Sequence, residues 1–273
     1  MNRALTDLHF EVSGEGSPLV LLHSALSDSS AWDEVLPALA ARHQVVRYDA
    51  RGFGESPDPA ADYDPIDDLA AVMAAAGVER AHLVGNSMGA GVARVTAVER
   101  PELVRSLTLV GPGFSEPKPP PESMARLERW RGARSEGDIE VALQAAAELW
   151  IGSAGQLERA RRVLERQKPA QPGPLPVPDA AHAVERITAP TLVISGAQDD
   201  AWVLGASRVL AERIPGAKLV LLEGARHHPQ EDQPAAFAKS LLAFLTVVDQ
   251  EGGREEGRRP ARPRGDFPPP LEG

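Results

Sequence analysis

Ala81-His82-Leu83-Val84-Gly85-Asn86-Ser87-Met88-Gly89-Ala90-Gly91 is the stretch from which the rest of the chain can be read. An apolar run meets Gly85-Asn86-Ser87-Met88-Gly89, and a helix-forming segment follows. This is G-x-S-x-G in the context of a buried strand, a sharp turn and a helix. Such a turn is expected to hold Ser87 in a strained backbone conformation, with its hydroxyl raised above the edge of a sheet. Gly85 and Gly89 remove side chains that would collide where strand and helix pass closely. The start of the helix aims free N–H groups and the positive end of its dipole at any charge developing nearby.

Working outward, Leu8 to Val12 alternates apolar and polar, and Ser13 to Pro18 turns the chain into the apolar run Leu19 to Leu22. That pattern predicts an edge hairpin feeding a buried strand. Trp32, Val35, Leu36 and Leu39 share one helical face, with Ser30 as cap and Pro37 as a kink or restart. Val45 to Tyr48 reads as the next strand, and Asp64-Pro65 opens a helix that stops at Gly77. After the opening stretch come a helix ending near Pro101 and a strand from Ser106 to Val110. Strands alternating with helices predict a mostly parallel sheet of the α/β class.

That rhythm breaks at Gly111 and resumes with Thr191 to Ser195, a helix around Ala206 to Ile214, the strand Lys218 to Leu222 and a helix from Pro234 to about Val248. Between Phe114 and Glu185 no stretch reads as a strand. Lys118 to Pro121 and the five prolines of 169–178 bound helical patterns, the clearest of them Ile139, Ala142, Leu143, Ala146 and Leu149. The expected organisation is a core of residues 1–113 and 187–248, a helical insertion at 114–186, and a tail. The tail, 249–273, holds five Gly, five Pro, five Arg and six acids and is expected to be disordered.

The chain has 273 residues, 42% hydrophobic and 25% charged, as in ordinary soluble globular proteins. A net charge of −10 argues against a general nucleic-acid binder. With no cysteine, thiolate nucleophiles, disulfides and Cys-ligated metals are excluded. The start of the sequence has no apolar run of signal-peptide length, and no run approaches the ~20 residues of a membrane span. A cytoplasmic enzyme with neither nucleic acid nor membrane as partner is the expectation.

A serine hydroxyl needs a base to take its proton, and the base needs an acid to hold its tautomer. Of seven histidines, His9, His43, His82 and His182 read as surface or boundary residues. His227 follows the last strand on a loop at its C-terminal end, where parallel sheets place their sites; the adjacent His228 is its rival. Asp199 and Asp200 follow the strand Thr191 to Ser195 in the same manner, and either would serve equally as a helix cap. No histidine pair has metal-ligand spacing, and no metal or organic cofactor is called for.

The chain resembles the α/β-hydrolase superfamily, in its serine esterase and lactonase-like branch with a helical cap, over about residues 8 to 248. The resemblance rests on LVLLH at 19–23, YDARGFGES at 48–56, GNSMG at 85–89, GAQD at 196–199 and GARHHPQEDQP at 224–234. It implies that Ser87 is the nucleophile, Asp199 the acid and His227 the base, in the chain order that this fold uses. It further implies an oxyanion hole built from the backbone N–H groups of Ala25 and Met88. Three positions depart from the pattern. Ser24 stands where glycine usually follows the histidine, Arg226 replaces the glycine before the base, and Ala90 replaces a frequent third glycine.

The implied activity is hydrolysis of a carboxylic ester or lactone of a small molecule through an acyl-enzyme. A carbon–carbon bond hydrolase of the meta-cleavage-product type is the alternative, since Gly85 to Gly89 followed by Leu109-Val110-Gly111-Pro112-Gly113 resembles that group. Against it, His228 replaces the aromatic residue usual after the base. A non-catalytic ligand-binding protein of the same fold is the third reading. Leu26, Trp130 and Trp150 are candidate substrate contacts, with core packing the competing reading for the two tryptophans.

Overall fold

All six residues of the strand leading to Ser87 are buried, as expected of a central strand covered on both faces. The computed structural model describes residues 6–167, 173–174 and 183–256. In chain order they form β1 (Phe10–Ser13), β2 (Ser17–Leu22), a 3-10 turn (Ser29–Trp32), α1 (Leu36–Ala40), β3 (His43–Tyr48), α2 (Pro65–Ala75), β4 (Ala81–Asn86), α3 (Met88–Glu99) and β5 (Val104–Val110). Then follow α4 (Pro121–Glu136), α5 (Ile139–Leu149), α6 (Ala154–Arg166), β6 (Thr191–Gly196), α7 (Ala201–Arg213), β7 (Lys218–Leu222), α8 (Pro229–Asp232) and α9 (Pro234–Glu256).

The seven strands make one sheet in the order β1-β3-β2-β4-β5-β6-β7. All neighbours are parallel except β1, which runs antiparallel to β3. Residues alternating along β4 face opposite layers. Leu83 packs with Leu69, Met73, Ala93 and Leu210 beneath α2, α3 and α7. Val84 packs with Leu39, Phe237 and Leu241 beneath α1 and α9. Burying each leucine-sized side chain contributes about 1.5–3 kcal/mol, so these two layers supply most of the driving force.

Three expectations need correction. The edge hairpin does not form: β1 pairs with β3, Val12 opposite Val46, while β2 lies between β3 and β4. The apolar run Leu19 to Leu22 is fully buried and takes a parallel partner on each side, which displaces β1 to the edge. The amphipathic stretch from Ser30 is not one helix but the 3-10 turn and the short α1. Pro37 sits in the first turn of α1, where its missing N–H costs nothing.

The last helix also runs on to Glu256, so residues 249–256 of the expected disordered tail are helical. The physical reason is an anchor: Asp249 meets His82 Nε2 at 3.1 Å and Arg105 at 3.3 Å under the sheet. The remainder of the tail, His182 and most of the second Pro-rich stretch lie outside the described residues.

Helices α4, α5 and α6 fill the interval between β5 and β6, and Pro121 of the first Pro-rich stretch opens α4. They share a core of Ala133, Leu143, Ala146 and Leu164, into which Leu26 of the main body also packs. No helix among the described residues is long and apolar enough to cross a membrane.

Candidate active site

From β2 the chain first builds β3 on one side, with β1 at the outer edge beyond it, and then crosses to build β4 on the other side of β2. Strand order therefore reverses between β2 and β4, and the crevice at their C-terminal ends is where such sheets bind ligands. Ser87 stands at that crevice with φ 54° and ψ −106°, and among the described residues it is the one non-glycine with positive φ. Such a conformation costs about 1–3 kcal/mol and persists only where its surroundings hold it. Its N–H donates to the Val110 carbonyl at 2.8 Å, and its own carbonyl accepts from Gly91 N–H at 3.0 Å. A Cβ on Gly85 would lie 2.2 Å from the Gly89 carbonyl oxygen, and one on Gly89 would lie 2.3 Å from that of Leu22. Both glycines are required by contact with backbone that has no freedom to move aside.

Of the two adjacent aspartates, Asp199 is the one placed against histidine. Its Oδ2 lies 2.9 Å from His227 Nδ1, with the His227 side chain 5% exposed and that of Asp199 fully buried. Asp200 instead caps α7, accepting from Trp202 N–H at 2.9 Å and from the Ser123 hydroxyl at 2.7 Å. The carboxylate on Nδ1 fixes the proton there and leaves Nε2 as the basic nitrogen of a neutral ring. His228 points elsewhere, with its Nε2 3.0 Å from Ser24 Oγ. Burial, reinforced by the neighbouring His227, holds its pKa well below the ordinary value.

His23 orders the segment after β2. Ala50 N–H donates to His23 Nε2 at 3.0 Å, which requires that nitrogen to be unprotonated, and Nδ1 donates to the Ser24 carbonyl at 2.8 Å. Burial lowers the pKa of this ring, in keeping with its neutral hydrogen-bond pattern. The His23 carbonyl accepts from Gly89 N–H at 3.1 Å and so joins the segment to the start of α3. Ala25 N–H enters no hydrogen bond among the described residues. Met88 N–H belongs to the first turn of α3, whose amides have no acceptor within the helix.

A cavity of about 50 Å³ brings Ser87, His227, Ala25, Leu26, Trp130 and Trp150 together, along with Ser24 and His228. The Trp150 ring lies 6.0 Å from that of His227 and 5.1 Å, edge-on, from that of Trp130. Both tryptophans also pack against the core of the helical insertion, so core and cavity readings coexist. A larger cavity of about 320 Å³ lies beyond Met88, lined by Tyr63, Ile66, Val92 and Val95. Neither Ser87 nor His227 lines it; both line the smaller one. Among the described residues no cluster of three or more His, Asp or Glu is placed to hold a metal ion.

Several contacts here carried no signal of their own in the sequence. Asn86 Nδ2 donates to the carbonyls of Val110 at 3.1 Å and His227 at 3.0 Å, and its Oδ1 accepts from Gln230 at 3.3 Å. Arg226 reaches out of the loop to the carbonyls of Ile151 at 2.5 Å and Glu148 at 3.0 Å, at the C-terminal end of α5. Asp232 accepts from Arg226 N–H at 2.7 Å and from Gln156 Nε2 at 2.9 Å, and Arg159 pairs with Glu231 at 2.7 Å. These contacts fasten α5 and α6 to the loop that carries His227.

The sequence matches the alpha/beta hydrolase family over residues 19–240. A putative carbamate hydrolase RutD from Pseudomonas savastanoi pv. phaseolicola is 32% identical over 251 residues, covering 85% of this chain and 95% of its own length. A 2-hydroxymuconate semialdehyde hydrolase from a Pseudomonas species is 30% identical over 268 residues, covering 89% and 91%. Among solved structures, a thermophilic esterase from Thermogutta terrifontis superposes with a TM-score of 0.71 at 25% identity, covering 88% of this chain and 93% of its own.

Proposed function

The chain belongs to the alpha/beta hydrolase family, and from that premise we propose that it is a serine hydrolase cleaving a carboxylic ester or lactone of a small molecule. Ser87 Oγ attacks the carbonyl carbon while His227 Nε2 takes its proton. Asp199 holds the ring by Nδ1 and stabilises the imidazolium that forms. The N–H groups of Ala25 and Met88 donate to the oxyanion of the tetrahedral intermediate. His227 then gives its proton to the leaving oxygen, whose bond to the acyl carbon breaks. Water, deprotonated by the same nitrogen, attacks the acyl-enzyme and releases the acid and free Ser87. Helices α4 to α6 act as a cap, with Leu26, Trp130 and Trp150 against the acyl group.

The observation that carries this reading is the juxtaposition of a strained Ser87 and an aspartate-held His227 in one cavity. Its small size supports a short acyl group. The net charge of −10 supports a small-molecule substrate over nucleic acid or an anionic membrane surface. A carbamate is the second reading, supported by the relative named as a putative carbamate hydrolase, because it offers Ser87 the same carbonyl. Carbon–carbon bond cleavage has the 2-hydroxymuconate semialdehyde hydrolase relative in its favour and the confined cavity against it. Turnover of p-nitrophenyl acetate, lost in Ser87→Ala, is the expected result. Turnover of a vinylogous diketone alone would favour the carbon–carbon reading, and ligand binding without Ser87-dependent turnover would exclude both.

A further inference from the structure

Ser24, at which this chain departs from the family pattern, and His228, where the carbon–carbon hydrolase group usually has an aromatic residue, are 204 residues apart and meet in the reaction cavity. Each is 3% exposed, and Ser24 Oγ lies 3.0 Å from His228 Nε2. Buried polar groups of this kind need one another, since neither has ready access to water. Ser24 also fits without backbone strain, because Ser87 alone among the described non-glycine residues has positive φ. The glycine usual at this position is therefore not needed here for its conformational freedom.

The surroundings show what the pair holds. His23 is fastened through its ring to Ala50 and Ser24, and through its carbonyl to Gly89. Ser27 N–H donates to the Ser24 carbonyl at 3.2 Å, turning the chain immediately past Ala25. The peptide between Ser24 and Ala25 carries the Ala25 N–H, and the Ser24 side chain links it across the cavity to the loop of His227. An oxyanion donor is effective only when already oriented toward the charge it will meet.

We propose that Ser24 and His228 form a positioning pair, whose hydrogen bond orients the Ala25 N–H and ties it to the loop that carries the base. This rests on the reading of Ser87 as nucleophile. In this role both side chains act through Ala25 and His227. The pair matters as the intermediate forms and contributes little to ground-state binding, so it acts on kcat rather than KM.

The test is a double-mutant cycle on the full chain with p-nitrophenyl acetate, using Ser24→Ala, His228→Phe and both together. Each single change is expected to lower kcat about tenfold, below the ~100-fold or more of losing an oxyanion donor outright, with KM within about twofold. The double variant should be no slower than the slower single one. His228→Gln, which restores a hydrogen-bonding group, should recover most of the loss, and the acid limb of kcat/KM should stay in place. If His228→Phe does not fold, His228→Leu takes its place in the cycle, again with His228→Gln as the rescue. Multiplicative effects, a change in KM alone, or parental kcat in Ser24→Ala would overturn the pairing. Turnover surviving in Ser87→Ala would instead overturn the reading beneath it.

Discussion

Asn86 Nδ2 donates to the backbone carbonyl of His227 at 3.0 Å, so the residue before Ser87, the proposed nucleophile, holds the backbone of the proposed base. Asn86 is fully buried, and its second donor satisfies Val110, whose carbonyl also accepts from Ser87 N–H. One side chain thus sets the spacing between elbow and base loop. Asn86→Ala removes this donor from the buried His227 carbonyl, while that of Val110 keeps Ser87 N–H, and should cost about 1–3 kcal/mol of stability. It should also lower kcat on p-nitrophenyl acetate about tenfold or more, since a small misplacement of reacting groups is costly. Urea unfolding and steady-state kinetics on one preparation measure both.

Gly89→Ala and Gly91→Ala should move stability in opposite directions. The first drives a Cβ to 2.3 Å from the Leu22 carbonyl oxygen; the second meets nothing within 4 Å. Overpacking against backbone should cost about 3 kcal/mol or yield no folded protein. Alanine at 91, inside α3, should stabilise by up to ~1 kcal/mol through helix propensity alone. Thermal unfolding of the pair provides the comparison.

Arg226→Ala removes the guanidinium from the carbonyls of Glu148 and Ile151. The end of α5 then loses the cation that satisfies it, and Trp150, which follows it, is held less firmly over the cavity. KM for p-nitrophenyl acetate should rise several-fold with kcat within about twofold. Faster hydrogen exchange should be confined to residues around 150–152. A fall in kcat at constant KM would assign Arg226 to the chemistry rather than to holding the helical insertion.

The acid side of the stability profile should be dominated by buried histidines. Burial lowers the pKa of His82 from 6.5 to about 4, against the opposing pull of Asp249. Between those values the unfolded chain binds a proton that the folded chain refuses. Stability is therefore fully present above about pH 6.5 and falls as the pH is lowered toward 4, by up to about 3 kcal/mol for this group. His23 and His228 shift in the same direction and steepen the fall. His82→Gln, which can still bond Ser106 and Asp249, should flatten the profile between pH 6.5 and 4, as urea unfolding across that range will show.

Local pattern carried much of this architecture. The elbow, the parallel strands and the narrow choices of Asp199 or Asp200 and His227 or His228 all follow from short runs of residues. What periodicity did not carry were contacts between distant parts of the chain. The hairpin expected of β1 and β2 failed because β3, thirty-odd residues on, is the better-placed neighbour of both. The last helix outran its composition because Asp249 meets His82 across the fold. The choice between rival residues likewise became plain only when Asp200 was found capping α7 and His228 facing Ser24. Asn86 and Gln230 are ordinary polar residues until the fold sets them side by side.

Ser87 as nucleophile is tested most directly by the intact mass of the protein after reaction with diethyl p-nitrophenyl phosphate, followed by peptide mapping. One diethylphosphoryl group per chain is expected, on Ser87, with loss of p-nitrophenyl acetate turnover in step with labelling and no labelling of Ser87→Ala. Labelling at another residue such as Ser24, or turnover that persists in Ser87→Ala, would contradict it.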